Sequence, residues 1–89
     1  TGDLKAQTTL LEEAVKLYPS DADILNDYGY TLLQECGGPC AAKAKAYIEK
    51  AVEIKPDIPE YLDSLGWAYF HLKDYQRAKR YLWEALRLR

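Results

Sequence analysis

The sequence predicts an all-α fold built from a repeated pair of antiparallel helices. Three observations carry this. Apolar residues recur along the chain with the 3.6-residue period of amphipathic helices, no stretch alternates with the period of a strand, and one pattern of small and apolar residues returns at a fixed interval. With 89 residues, 48% of them hydrophobic, the chain has material for one domain with a modest core.

The elements follow in order. LKAQTTLLEEAVKLYP sets Leu4, Leu10, Leu11, Ala14, Val15 and Leu17 at helical spacing, and Pro19 ends the helix. SDADILNDYGYTLLQEC offers Ser20 or Asp21 as N-cap and Ile24, Leu25, Tyr28 and Leu32 as a stripe, then meets a stop at Gly37-Gly38-Pro39. AAKAKAYIEKAVEIK turns Ala44, Tyr47, Ile48, Ala51, Val52 and Ile54 to one side and closes at Pro56. IPEYLDSLGWAYFHLK has Asp57 as its expected cap and Pro59 in the first turn, where a missing N–H is harmless. DYQRAKRYLWEALRLR places Ala78, Leu82, Ala85 and Leu86 inward and ends rich in Arg, which suits the negative end of a helix.

These helices are copies. Leu62-x-x-Leu65-Gly66-x-x-Tyr69 followed by Ala78-x-x-x-Leu82-x-x-Ala85 is echoed upstream by Leu25-x-x-Tyr28-Gly29-x-x-Leu32 and Ala44-x-x-x-Ile48-x-x-Ala51, closing with Pro56. Leu11-x-x-Ala14 closing with Pro19 is a third echo. Ala51 to Ala85 is 34 residues, whereas Gly29 to Gly66, Ala14 to Ala51 and Pro19 to Pro56 are each 37. Gly29 to Ala44 is 15 and Gly66 to Ala78 is 12, so three extra residues fall in the turn that contains Cys36 and Cys40. The chain divides into a half repeat over 1–19, a repeat with the insertion over 20–56, and a repeat over 57–89. Glycine and alanine at these places allow the two helices of a pair to approach closely.

Charge excludes little and points nowhere in bulk. The net charge is −2, yet residues 1–63 carry −6 and residues 64–89 carry +4. Nucleic acid is not expected as a partner, because the basic set Lys73, Arg77, Lys79, Arg80, Arg87 and Arg89 lacks a binding motif and fits a solvated face. No apolar run approaches the roughly 20 residues of a membrane span. The start at Thr1-Gly2 falls mid-pattern and the end follows a helix directly, so a piece of a longer protein is expected and its localisation is open.

No catalytic constellation, metal site or cofactor motif is expected. His71 has no cysteine or carboxylate at ligand spacing along its helix, and Cys36 and Cys40 match neither C-x-x-C nor C-x-x-C-H. The cysteines are either free turn thiols or a disulfide clamping the enlarged turn, worth about 2 kcal/mol in an oxidising compartment. The last helix carries more apolar surface, at Tyr81, Leu82, Trp83, Leu86 and Leu88, than one partner helix covers. Self-association through Tyr81, Trp83 and Leu86, as a homodimer, is one way to cover it.

On the repeat pattern quoted above the chain resembles the tetratricopeptide repeat family, and DSLGWAYF with Tyr18-Pro19 is closest in style to its bacterial members. The family's Trp is replaced by Leu25 and Leu62, Tyr28 stands for a Leu and Leu32 for a Tyr. The resemblance implies a right-handed α-solenoid of five helices and a non-catalytic scaffold that binds a protein or peptide in its concave groove. Carried over by position, that groove holds Asp23, Asn26, Asp27, Tyr30, Leu33 and Gln34 from one unit and Glu60, Asp63, Ser64, Trp67, Phe70 and His71 from the next. Of the residues with which one branch of the family grips a C-terminal carboxylate, Asn26 alone is present; acids stand where the cations belong. A partner segment with basic and apolar side chains is the expected occupant. The alternative implied role is assembly within a longer solenoid.

Overall fold

The computed structural model describes residues 3–89. The first two residues of the expected half repeat lie outside the described residues. Five helices follow one another: α1 (Leu4–Leu17), α2 (Ala22–Cys36), α3 (Ala41–Ile54), α4 (Pro59–His71) and α5 (Tyr75–Leu88), with a 3₁₀ turn at Gly38–Cys40 leading into α3. Each helix packs on the next, and α2 also touches α4 directly. α2 and α4 therefore share one layer, with α1, α3 and α5 behind them.

Local chemistry sets the ends. Asp21 caps α2 by accepting from the Ile24 N–H at 3.1 Å, and Asp74 caps α5 through the Arg77 N–H at 3.2 Å. Asp57 does not cap α4 as expected. Pro59 stands at the start of that helix, which makes Ile58 the N-cap, and no side chain bonds there. α2 ends at Gly37, whose φ of 61° is left-handed, and its N–H donates to the Leu33 carbonyl. After α4 the left-handed position falls to Lys73, with φ 66°, while Asp74 N–H reaches back to the Tyr69 carbonyl at 2.9 Å.

The close approaches occur where the small residues stand. A Cβ on Gly29 would lie 2.5 Å from Ile48 Cγ1 and 2.9 Å from the Ala44 carbonyl oxygen. A Cβ on Gly66 would lie 2.8 Å from Leu82 Cγ and 3.2 Å from the Ala78 carbonyl oxygen. The same crossing is thus built twice, α2 on α3 and α4 on α5. Around it Tyr28, Leu32, Leu33, Ala41, Ala44, Ile48, Leu65 and Ala68 form one buried cluster, and Ala22, Leu25, Ala51 and Tyr61 a second. Tyr28 is fully enclosed and meets Tyr47 edge to face at 4.8 Å.

Four expected inward residues face out instead. Leu10 and Leu17 of α1, Ile54 of α3 and Leu86 of α5 are exposed. α1 and α5 are the two ends of the described stack and have a neighbour on one side only, so an apolar stripe wide enough for two neighbours is half uncovered, whereas Ile54 is the last residue of α3, which packs on both α2 and α4. The three-residue insertion is shared between helix and turn. α2 runs seven residues past Gly29, to Cys36, whereas α4 runs five past Gly66, to His71; the turn that follows is one residue longer.

Two predictions test this packing. Gly29→Ala destabilises by about 2 kcal/mol despite its better helix propensity, because the Ala44 backbone cannot step aside. Gly66→Ala is expected to cost less, since the backbone oxygen it meets stands at 3.2 Å rather than 2.9 Å and the nearest side-chain atom at 2.8 Å rather than 2.5 Å, and paired thermal melts rank the two. Lys73→Gly relieves the left-handed Lys and raises the melting temperature by a few degrees, about 0.5–1 kcal/mol.

Candidate functional site

The seam between α2 and α4 carries a groove with two recesses. The first, about 270 Å³, is lined by Asn26, Tyr30, Glu60, Asp63, Ser64 and Trp67. The second, about 210 Å³, is lined by Tyr30, Leu33, Gln34, Trp67 and His71. Tyr30 and Trp67 belong to both and form the waist between them. Helical spacing puts them there: Asn26, Tyr30 and Gln34 succeed one another one turn apart on α2, as do Glu60, Asp63, Trp67 and His71 on α4. Tyr30 is 42% and Trp67 43% exposed, although each flanks the packed α2–α4 contact.

The polar side chains of the groove differ in what already holds them. Asp23 accepts a hydrogen bond from the Tyr61 hydroxyl, a short link between α2 and α4. Burial first, and then this bond to a carboxylate, pushes the Tyr61 phenol well above its ordinary pKa. Asp23, expected in the groove, lines neither recess and serves as a strut between the two helices. Ser64 donates back to the Glu60 carbonyl at 3.0 Å. Asp63 accepts from Arg89 at 2.6 Å, so Arg89 folds over the groove rim and is not part of a merely solvated basic face. Asn26 is 8% exposed, and its Oδ1 is buried with no hydrogen-bond partner.

Two more expected groove residues sit elsewhere. Asp27 leans toward α1, into a recess with Gln7, Leu10, Leu11, Tyr30 and Thr31. Partial burial first, then the charges of Asp23 and Asp21, raise its pKa above the usual aspartate range. Phe70 faces the outer side of α5. There it joins Tyr75, Leu82, Trp83 and Leu86 around an apolar recess of about 480 Å³, while its ring still meets Trp67 edge to face at 5.5 Å.

That outer face bears on the expected self-association residues. Trp83 and Leu86 are exposed on it. Tyr81 is not part of it, because its ring stacks on Tyr69 at 5.5 Å and packs against the core cluster. Tyr75, absent from the expectation, is. Among the remaining basic residues Arg77 pairs with Asp74 at 2.7 Å and Arg87 with Glu84.

Cys36 and Cys40 are joined as a disulfide, with Cα atoms 5.7 Å apart, inside the ordinary range. The turn they close leans on the end of α4: a Cβ on Gly37 would lie 3.7 Å from the His71 ring. Among the described residues no three His, Cys, Asp or Glu side chains are grouped to hold a metal, and no helix is long and apolar enough to cross a membrane.

Comparison with known proteins follows the same pattern of helices. A tetratricopeptide repeat family model matches residues 41–58 and 59–89, more than half of the chain. A TPR repeat-containing protein of Pseudomonas aeruginosa is 34% identical over 84 residues, covering 94% of this chain. The chain spans 14% of the length of that relative.

The raised pKa of Asp27 has a definite sign for stability. A carboxylate whose folded pKa exceeds its unfolded value penalises the fold at neutral pH, and the penalty fades as pH falls through the raised folded pKa and is gone below the unfolded one. Asp27→Asn is expected to raise the melting temperature at pH 7, with the gain shrinking to nothing near pH 3, measured as melts across pH.

Proposed function

The chain belongs to the tetratricopeptide repeat family, whose repeats mediate protein–protein interactions, and from that premise we propose that it is a non-catalytic scaffold holding a partner segment in the α2–α4 groove. The exposed pair Tyr30 and Trp67 carries this reading. Both rings form the walls of two adjoining recesses, and large aromatics of low side-chain entropy are the residues that dominate binding energy where they are left uncovered in a cleft. Glu60 and Asp63 beside them favour a segment with basic as well as apolar side chains. Such a segment would lie along the seam, with apolar groups at the Tyr30–Trp67 waist.

A second reading has its own observation. The outer face of α5 holds a larger recess, almost wholly apolar, around Trp83, Leu86, Phe70 and Tyr75. A further helix or another copy of the chain on that face would make the protein an assembly module.

One experiment separates the two. A random decapeptide library is panned against the chain, and the selected peptides are titrated on variants. Trp67→Ala is expected to weaken them about 30-fold, roughly 2 kcal/mol, with circular dichroism unchanged, and Trp83→Glu to leave them unaffected. Peptides lost on Trp83→Glu and indifferent to Trp67→Ala would move the site to α5 and sink the groove reading.

A further inference from the structure

The turns inside the two helix pairs are held by different means. Cys40 lies four residues before Ala44, and Asp74 lies four before the matching Ala78, so the two stand at the same place in the repeat. Asp74 is the N-cap of α5: its carboxylate accepts from the Arg77 N–H and pairs with the Arg77 side chain at 2.7 Å. Cys40 is the N-cap of α3 and makes no side-chain cap bond. Its sulfur is joined instead to Cys36, the last residue of α2. A covalent clamp thus occupies the position of a cap. Between the two cysteines lie Gly37, Gly38 and Pro39, and successive glycines have the most backbone freedom to regain once a constraint is lifted.

This turn reaches the groove from both sides. Leu33 and Gln34, near the end of α2, and His71, at the end of α4, are three of the five residues around the second recess. Gly37 donates its N–H to the Leu33 carbonyl at 2.8 Å. A Cβ on Gly37 would stand 3.7 Å from the His71 ring, and one on Gly38 3.8 Å from the His71 carbonyl oxygen. A displacement of the two glycines is therefore felt at the recess walls. Cys36 is exposed and Cys40 half-buried, and exposed disulfides are the ones that reductants open.

We propose that the Cys36–Cys40 disulfide is a redox lock on the second recess: oxidised, it holds the turn against His71 and the groove in its binding shape, and reduced, it leaves α3 uncapped and the recess slack. The proposal rests on the groove being the surface where a partner segment lies. The reductant is a dithiol. One of its thiolates attacks the Cys36 sulfur, the bond to Cys40 breaks, and Cys40 leaves as a thiolate that takes up a proton. The second thiolate of the reductant then displaces Cys36, which is protonated in turn. Two electrons and two protons have passed to the chain, and the reductant departs as a disulfide.

The test follows the isotope-labelled chain by nuclear magnetic resonance, oxidised and after dithiothreitol, and titrates onto both forms the peptides panned against the oxidised chain. Reduction is expected to shift the Gln34 side-chain amide and the His71 ring, to leave the Trp83 indole in place, and to weaken the peptides about fivefold. Cys36→Ala with Cys40→Ala is expected to bind as the reduced chain does, with or without dithiothreitol. Cys36→Ala with Cys40→Asp, which gives α3 the cap that α5 has, is expected to bind within about twofold of the oxidised chain and to ignore dithiothreitol. Gln34 and His71 signals unmoved by reduction would overturn the lock, since the turn would then hold without its clamp. Helical circular dichroism lost on reduction would overturn it too, by making the bond a staple of the whole fold. So would a Cys40→Asp variant that binds no better than the Cys40→Ala one. The underlying groove reading fails separately: panned peptides that ignore Trp67→Ala defeat it, whereas peptides that need Trp67 but bind the oxidised and reduced chains equally defeat only the lock.

Discussion

The backbone of α2 passes so near α3 at Gly29 that there is no room for a methyl group between them, and α4 repeats the approach to α5 at Gly66. Much else in the molecule depends on that closeness. It lets Ala44 and Ala51 of α3, and Ala78 and Ala85 of α5, bury almost completely against the preceding helix with very small side chains. Because those positions contribute little volume, the neighbouring large residues, Tyr28, Ile48 and Leu65, fill the space around the crossing. The pairing then decides which face of α2 and α4 is turned away from α3 and α5. Asn26, Tyr30, Glu60 and Trp67 stand on the side left over.

One long-range hydrogen bond and one turn contact then flank the groove that this packing leaves. The Tyr61 hydroxyl holds Asp23 at one end of the α2–α4 seam, and the turn carrying Cys36 and Cys40 leans on His71 at the other. Between them lies the aromatic waist. The groove is thus flanked at its ends by contacts within the chain, while its centre holds the uncovered Tyr30 and Trp67 rings. A surface of this kind is preorganised, so a partner does not have to bear the entropy of ordering it.

Most of the fold was legible in the sequence because its signals are local or periodic. The 3.6-residue stripe and the prolines placed five helices, and the intervals of 34 and 37 residues showed one unit to be three residues longer, though not that two of the three lengthen α2 rather than the turn. What stayed hidden was non-local. Periodicity marks Leu10, Leu17 and Leu86 as apolar but not whether a neighbouring helix exists to cover them. The Asp63–Arg89 pair spans 26 positions and joins two different helices, so no spacing rule along one helix reveals it. Tyr61 is 38 positions from Asp23, one more than the repeat interval, a hint that becomes usable only once the units are known to stack in register. Phe70 lies one helical turn from Trp67 yet faces the outer side, because the end of α4 is shared between the groove and α5.

α1 contains no fully buried residue and is held mainly by Leu11 and Val15 against the core cluster. In a stack whose units touch only their neighbours, such a helix has few contacts to lose when it leaves. Among the described helices, local opening is therefore expected to cost least at α1 and most at the helices that frame the groove.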